Sequence, residues 1–538
     1  MSRLPGLQED TMALVGNRHA LPADPLVHRR FAEHAKRDPD RTALVCGPEV
    51  RTYAELDASA NRFAHLLAGR GIGPGSLVGV CIDRSVELMI AILGVLKAGA
   101  AYVPLDPTHP RDRLRLMVSQ LPDLRLIAAG PSTAELVRDA GRPWLDVTAV
   151  PELAELPGHD PEVAVTGDDL CYAVFTSGST GTPKAAAIRH EGWYNLLAWL
   201  EAEYTLGTGS SNLMLSSFGF DISQRSLLTP LFTGAALHLL PSRSFDLARA
   251  YRIIGEQGIR TLHCAPSTLY LLLDREQETG GSALTGLHYV FIGGEPLSAK
   301  RVRAWATRPD NRCLLLHQYG VAECTDVASS YRMTDFPAHD GAALPAGEAV
   351  YNTRIHIMDQ ALAELPDGEV GEICISGTSV GAGYLNASEA DHAKFTAATV
   401  DGEQIRLYRT GDYGRLSDGR LVVAGRLDAQ VKIRGMRIDL GDVEHAVAAR
   451  PGVRAAAVVA APDGADELEL VAFVVPGQES QESLDLAALR ADLVEALPRN
   501  MVPQRIVALP DLPLNPTGKG DRRALTERAA GAHAGARP

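Results

Sequence analysis

No apolar run in this 538-residue chain approaches the roughly 18 residues a membrane-spanning helix needs. The N-terminal MSRLPGLQEDTMALVGN also lacks the continuous apolar segment of a signal peptide, so a cytoplasmic location is expected. Paired CxxC spacings are missing: Cys46, Cys81, Cys171, Cys264, Cys313, Cys324 and Cys374 are odd in number and scattered, which fits reduced thiols better than disulfides or zinc. Positive charge is in deficit. A net charge of −14 argues against nucleic acid or an anionic membrane as the main partner. Internal repeats are absent, and the only low-complexity tract is the terminal AAGAHAGARP, where disorder is expected from about residue 526.

What is present is a long chain with 46% apolar residues, enough for a large core and too long for a single one. Strand-like and helix-like segments alternate, the pattern of an α/β protein with mixed sheets. Thr52-Tyr-Ala-Glu55 reads as a capping box, followed by Leu56, Ala60, Phe63, Leu66 and Leu67 on one helical face. Val86, Met89, Ile90, Leu93 and Leu96 form a second apolar face, which Gly99 ends before AYVPLDP turns extended. LKAGAAYVPLD is read as core packing with little direct chemistry. Near Gly425 the pattern changes: LVVAGR, QVKIRG, RAAAVVAAP and LELVAFVV predict short strands, and GDVEHAVAAR and LDLAALRADLVEAL predict amphipathic helices. These suffice for a small α+β domain of about a hundred residues, a size that folds alone.

The stretch richest in chemistry is Leu170 to Ile188, LCYAVFTSGSTGTPKAAAI. An apolar run opens into a loop of hydroxyls, glycines and one lysine. Gly178 and Gly181 let backbone N–H groups approach phosphate oxygens; Thr176, Ser177, Ser179, Thr180 and Thr182 add hydroxyl donors, and Lys184 adds positive charge. This is not a Walker loop, because Ala185 stands where the Mg²⁺-binding Ser or Thr would follow the lysine.

The loop resembles the phosphate-binding signature of the adenylate-forming superfamily, which includes acyl-CoA synthetases, luciferases and nonribosomal peptide synthetase adenylation domains. Further motifs of that family follow in order from about Arg51 to Arg522. The resemblance implies a large α/β N-terminal domain with mixed sheets, residues 1–427, and a small mobile α+β C-terminal domain, residues 428–538, with ATP and Mg²⁺ as the reaction's companions. HQYGVAECT resembles the motif in which Tyr319, followed by Gly320, stacks on adenine and Glu323 ligands Mg²⁺. Here Val321 and Ala322 replace the usual Pro-Thr, so one hydroxyl normally offered to phosphate is missing. YRTGDY carries Asp412, which in the family accepts from the ribose hydroxyls, and Arg426 in GRLD is expected on the nucleotide. Lys519, between two glycines in NPTGKGDRR, is the expected catalytic residue for adenylation, reaching both the carboxylate and the phosphate oxygens.

In the amino-acid-activating branch the Asp of FDIS, here Asp221, binds the substrate's ammonium, and enzymes for aryl or fatty acids typically lack it. The other pocket positions fall on Ile222, Arg225, Ser267, Phe291, Gly293, Gln318, Asp326 and Val327, with Lys519 on the carboxylate. Gly293 is expected to leave room. Either Arg225, Gln318 and Asp326 meet a hydrophilic side chain, or Arg225 and Asp326 neutralise each other and shrink the cavity. A polar or small amino acid is expected, and a β-amino acid is left open.

Asp428 occupies the family's hinge position or merely caps a turn. QVKIRGMRIDLGDVE resembles the family motif beside the phosphopantetheine channel, which implies that Gly435 leaves space for that arm. No GGxS carrier motif and no HHxxxDG motif occur, which suggests a free-standing adenylation enzyme loading a separate carrier protein, although an excised domain would read the same. Ala185, where a glycine commonly follows the loop lysine, and Ala382, in place of the usual Arg before GY, point to a divergent branch. The alternatives are an acyl- or aryl-CoA ligase and a catalytically silent homologue. A small helper protein is left open.

Overall fold

The computed structural model describes residues 12–176, 183–243, 245–334, 336, 344–426, 430–433, 436–463, 467–477, 484–513 and 522–534. A large N-terminal α/β domain carries three sheets. One has seven strands, with Leu170–Thr176 between Lys184–Arg189 and Ala101–Pro104. A second has nine, with Leu314–Tyr319 between Tyr289–Gly293 and Ser329–Met333. A third, of six strands, contains Gly371–Gly377 paired with the long strand Glu403–Ser417. The interior strands of the first two sheets are buried along nearly their whole length, as expected where helices cover both faces.

Local signals place the helices. Thr52 accepts from the Glu55 N–H at 3.2 Å while the Glu55 carboxylate accepts from the Thr52 N–H at 2.9 Å, a complete capping box opening the helix Tyr53–Gly69. The second apolar face forms the helix Val86–Lys97, and Gly99 takes φ +79° before the strand Ala101–Pro104. These two helices pack together through Phe63 and Gly94, where an added Cβ would come within 2.7 Å of the Phe63 ring.

Lys97 carries more than packing. Its side chain is fully buried, and its ammonium lies 2.9 Å from Asp57 and 3.0 Å from Asp160. It fastens the helix Tyr53–Gly69 to the segment leading into the strand Leu170–Thr176.

The small C-terminal domain has a two-stranded ribbon, Gln430–Ile433 with Met436–Asp439, and a three-stranded sheet of Val453–Pro462, Leu468–Pro476 and Arg505–Ala508. Helices Leu440–Ala448 and Leu486–Ala496 cover one face of its core. The terminal segment corrects the expectation of disorder from about residue 526. It forms a helix, Arg522–Ala534, because Leu525 and Ala529, one turn apart, bury against Val459, Val471 and Phe473 of the sheet. Among the described residues all seven cysteines are free thiols, and no helix is long and apolar enough to cross a membrane.

Replacing Lys97 with Met should destabilise the protein by about 3 kcal/mol, at the low end for a broken buried ion pair because both carboxylates remain partly wet. Urea denaturation would measure this, and a loss below about 1 kcal/mol would remove Lys97 from its fastening role.

Candidate active site

A pocket opens at the carboxyl ends of the parallel strands Tyr289–Gly293 and Leu314–Tyr319, beside the end of Leu170–Thr176. Ligands of open α/β sheets gather at such ends, where side chains and backbone donors of several loops converge. Its walls are Val174, Thr176, Ile222, Gly293 and Val327. Its roof comes from Lys432, Met436, Pro498 and Met501 of the small domain. Its accessible volume is about 120 Å³.

Asp221 begins the helix Asp221–Thr233, and Arg225 stands one turn on, so both face the pocket from the same helix side. The Ile222 N–H donates to Asp221 Oδ1 at 2.8 Å, and among the described residues Asp221 has no ion-pair partner. Burial pushes its carboxyl above the ordinary range, against the pull of that N–H and of the Lys432 and Arg225 charges. Arg225, only 1% exposed, has Nε at 2.7 Å from Asp326 Oδ2 and donates through Nη1 to the Gln318 side-chain oxygen. The Nε–H is misaligned with that oxygen, so charge and not an aligned hydrogen bond joins the pair. Burial raises Asp326 to about 7, Arg225 opposing the rise and Asp221 adding to it.

A tight turn delivers Asp326 and Glu323. Gly320 passes so close to the following loop that a Cβ there would sit 1.9 Å from the Asp326 carbonyl oxygen. Thr325 and Asp326 take φ values of +56° and +68°, unusual for residues with side chains. The Thr325 hydroxyl donates to the Ser379 carbonyl at 2.6 Å, and the Ala328 N–H to the Tyr319 carbonyl at 2.8 Å, pinning the turn.

On the other flank, the Tyr319 hydroxyl donates to Asp412 Oδ2 at 2.7 Å, and Arg426 pairs with Asp412 Oδ1. Glu323 is 1% exposed and accepts from the Tyr384 hydroxyl at 2.6 Å, which also meets Tyr408 at 3.0 Å. Tyr384 was not marked by sequence reasoning, nor was Lys432, whose ammonium lies 5.5 Å from the centre of the Tyr319 ring. Both sit inside the motifs named above, but nothing in their spacing reveals that they turn inward.

Several expected positions lie elsewhere. Lys184 does not line the pocket: its ammonium is buried against Asp391, whose other oxygen accepts from Ser388 at 2.7 Å, so it anchors the base of the loop strand. Phe291 shares a strand face with Gly293 but lies two residues below the strand end. It packs in the core, stacked on His263 at 4.6 Å. Ser267 lines a neighbouring cavity of about 710 Å³ between the domains. Gly293 leaves no spare room, because a Cβ there would meet the Gln318 carbonyl oxygen at 3.0 Å. Ser177, Gly178, Ser179, Thr180, Gly181, Thr182, Asp428, Gly435 and Lys519 lie outside the described residues.

Residues 31–385 match the family described as AMP-binding enzyme, and residues 442–519 match the AMP-binding enzyme C-terminal domain. This chain belongs to the AMP-binding enzymes. The adenylation domains of nonribosomal peptide synthetases are its homologues within the adenylate-forming superfamily. It is 35% identical over 510 residues to a dimodular nonribosomal peptide synthase of Bacillus subtilis (strain 168), covering 92% of this chain and 21% of that protein. It is 37% identical over 511 residues to tyrocidine synthase 3 of Brevibacillus parabrevis, covering 93% and 8%. The chain thus spans about a fifth or less of the length of these relatives. Among solved structures it resembles holo-PA1221, a nonribosomal peptide synthetase protein containing adenylation and PCP domains, at 28% identity and a TM-score of 0.80 over 94% of this chain and 84% of that one.

In this AMP-binding enzyme, Gly320→Ala should cost about 1–3 kcal/mol by forcing the Asp326 backbone away, measurable by urea denaturation. Folding favours the protonated form of Asp326, so its contribution to stability is complete below about pH 4 and is lost as pH rises to about 7. The unfolding free energy of the wild type minus that of Asp326→Asn should therefore fall between those pH values. A flat difference would show that Asp326 ionises normally in the folded protein.

Proposed function

We propose that this chain activates an amino acid with ATP, forming aminoacyl-AMP and releasing pyrophosphate, and then passes the acyl group to the phosphopantetheine thiol of a separate carrier protein. The observation that carries the reading is Asp221: a carboxylate in the pocket wall, raised by burial, without an ion-pair partner among the described residues. A substrate ammonium would offset that cost, and an acid without an amine would leave it standing.

In the first step a substrate carboxylate oxygen attacks the α-phosphorus and pyrophosphate departs with the bridging oxygen. Two anions must meet, so fixed donors and cations are needed. Thr176 and the loop 177–182 would hold phosphate, and the Tyr319–Gly320 segment would carry adenine. Asp412, held by Arg426 and Tyr319, is an acceptor-only carboxylate of the kind that would receive ribose hydroxyls. Glu323 fits as a Mg²⁺ ligand, since that ion commonly takes one or two carboxylates together with substrate phosphates. Bound Mg²⁺ would offset the phosphate charge. Lys519 would reach the carboxylate and phosphate oxygens.

In the second step the thiol sulfur attacks the acyl carbonyl and AMP leaves. The 710 Å³ cavity shares Phe220, Ile222, Met436 and Pro498 with the pocket, a route suited to a long pantetheine arm that would pass Gly435. The domain boundary would fall at 427/428, with Asp428 as the hinge. PA1221 contains adenylation and PCP domains together, which supports a carrier protein as partner. The location would be cytoplasmic.

Amino-acid-dependent ATP–pyrophosphate exchange tests the reading. Exchange with an amino acid should fall by at least about 100-fold in Asp221→Ala with folding intact by circular dichroism. Exchange only with acids lacking an amine would overturn it in favour of a ligase for such acids.

A further inference from the structure

We propose that the Arg225–Asp326 ion pair selects the amino acid, disfavouring charged side chains and leaving the pocket to a short, neutral one bearing a hydrogen-bond acceptor. This rests on the amino-acid activation reading above.

Four features converge. Arg225 and Asp326 both line the pocket, 1% and 8% exposed, and they come from different elements, so the pair joins two parts of the pocket wall. The guanidinium faces Asp326 by charge through Nε and donates through Nη1 to Gln318. An acidic side chain reaching this pair meets a guanidinium whose charge Asp326 already offsets, and a basic one meets a carboxylate already facing Arg225. Either would bury a charge without new compensation. Next, Arg225 offers only donors, so the Gln318 side-chain oxygen must face it and the amide nitrogen must turn away. That nitrogen is buried with no hydrogen-bond partner, a donor that a substrate oxygen would satisfy and a purely apolar side chain would leave wanting. Finally, the accessible space of about 120 Å³ is small beside the 710 Å³ of the neighbouring cavity, and Gly293 adds none because Gln318 fills the place beside it.

The arrangement also explains why Asp221 and Asp326, two carboxylates in one small pocket, do different work. Asp326 is paired within the protein, whereas Asp221 is left for the ammonium.

The test compares kcat/KM for exchange with asparagine, aspartate and leucine, side chains of nearly one shape, together with serine, threonine and lysine. The wild type should use one of serine, threonine or asparagine at least about tenfold better than aspartate, leucine or lysine. Asp326→Asn frees the Arg225 charge and should raise the aspartate-to-asparagine ratio at least about tenfold. The double variant Arg225→Leu/Asp326→Leu leaves no charge at that position and keeps the question answerable if the single variant fails to fold. Its leucine-to-asparagine ratio should rise by a similar factor. Unchanged ratios in the folded variants, or a wild type preferring aspartate, lysine or leucine, would overturn the role of the pair while leaving amino-acid activation intact. Exchange with none of the amino acids, or undiminished exchange in Asp221→Ala, would instead count against the activation reading, and the proposal would fall with it.

Discussion

The close approach of Gly320 to the backbone of Asp326 organises the candidate site. Only a residue without a side chain fits there, and the following loop answers by placing Thr325 and Asp326 in left-handed backbone conformations. One short turn thereby sends Tyr319 toward Asp412, Glu323 toward Tyr384 and Asp326 toward Arg225. Three separate tasks depend on one stretch of backbone, and packing from Thr325 to Ser379 holds it in place.

Charge is the second constraint. The pocket and its flank hold Glu323, Asp326 and Asp412 buried from water and Asp221 half-buried in the wall. Asp412 accepts from Tyr319 and pairs with Arg426, Asp326 faces the Arg225 charge, and Glu323 takes a tyrosine hydroxyl. Asp221 is the carboxylate whose compensation is least complete within the protein. A carboxylate without an ion-pair partner is costly to keep away from water, so its presence in a pocket is informative in a way that the paired carboxylates are not.

The same logic separates the two lysines that sequence reasoning treated differently. Lys184 belongs to a phosphate-loop signature, yet its ammonium is spent on Asp391. Lys97 belongs to a stretch read as plain core, yet it holds two carboxylates. A lysine's sequence neighbours say which element carries it, whereas the direction of its side chain depends on which face of that element meets the rest of the protein.

By itself the sequence determined the α/β class, the capping box at Thr52, the helix ended by Gly99, and most strands and helices of the small domain, whereas the strand LVVAGR, read with that domain, pairs instead with Glu403–Ser417 of the large one. Each is encoded by periodicity or capping within a few residues, and local chemistry suffices for it. The motif order likewise identified the family and pointed to Asp221, Arg225, Tyr319, Glu323 and Asp412 before any coordinates. Tertiary structure alone decided the rest. It put Phe291 in the core, Ser267 in the neighbouring cavity and Gln318 beside Gly293, and it brought Lys432 over Tyr319. It chose between the two readings of Arg225 and Asp326, and it ordered the terminal helix through Leu525 and Ala529. These outcomes depend on contacts between residues tens to hundreds of positions apart, whose distances follow from strand register and domain packing and leave no trace in local spacing.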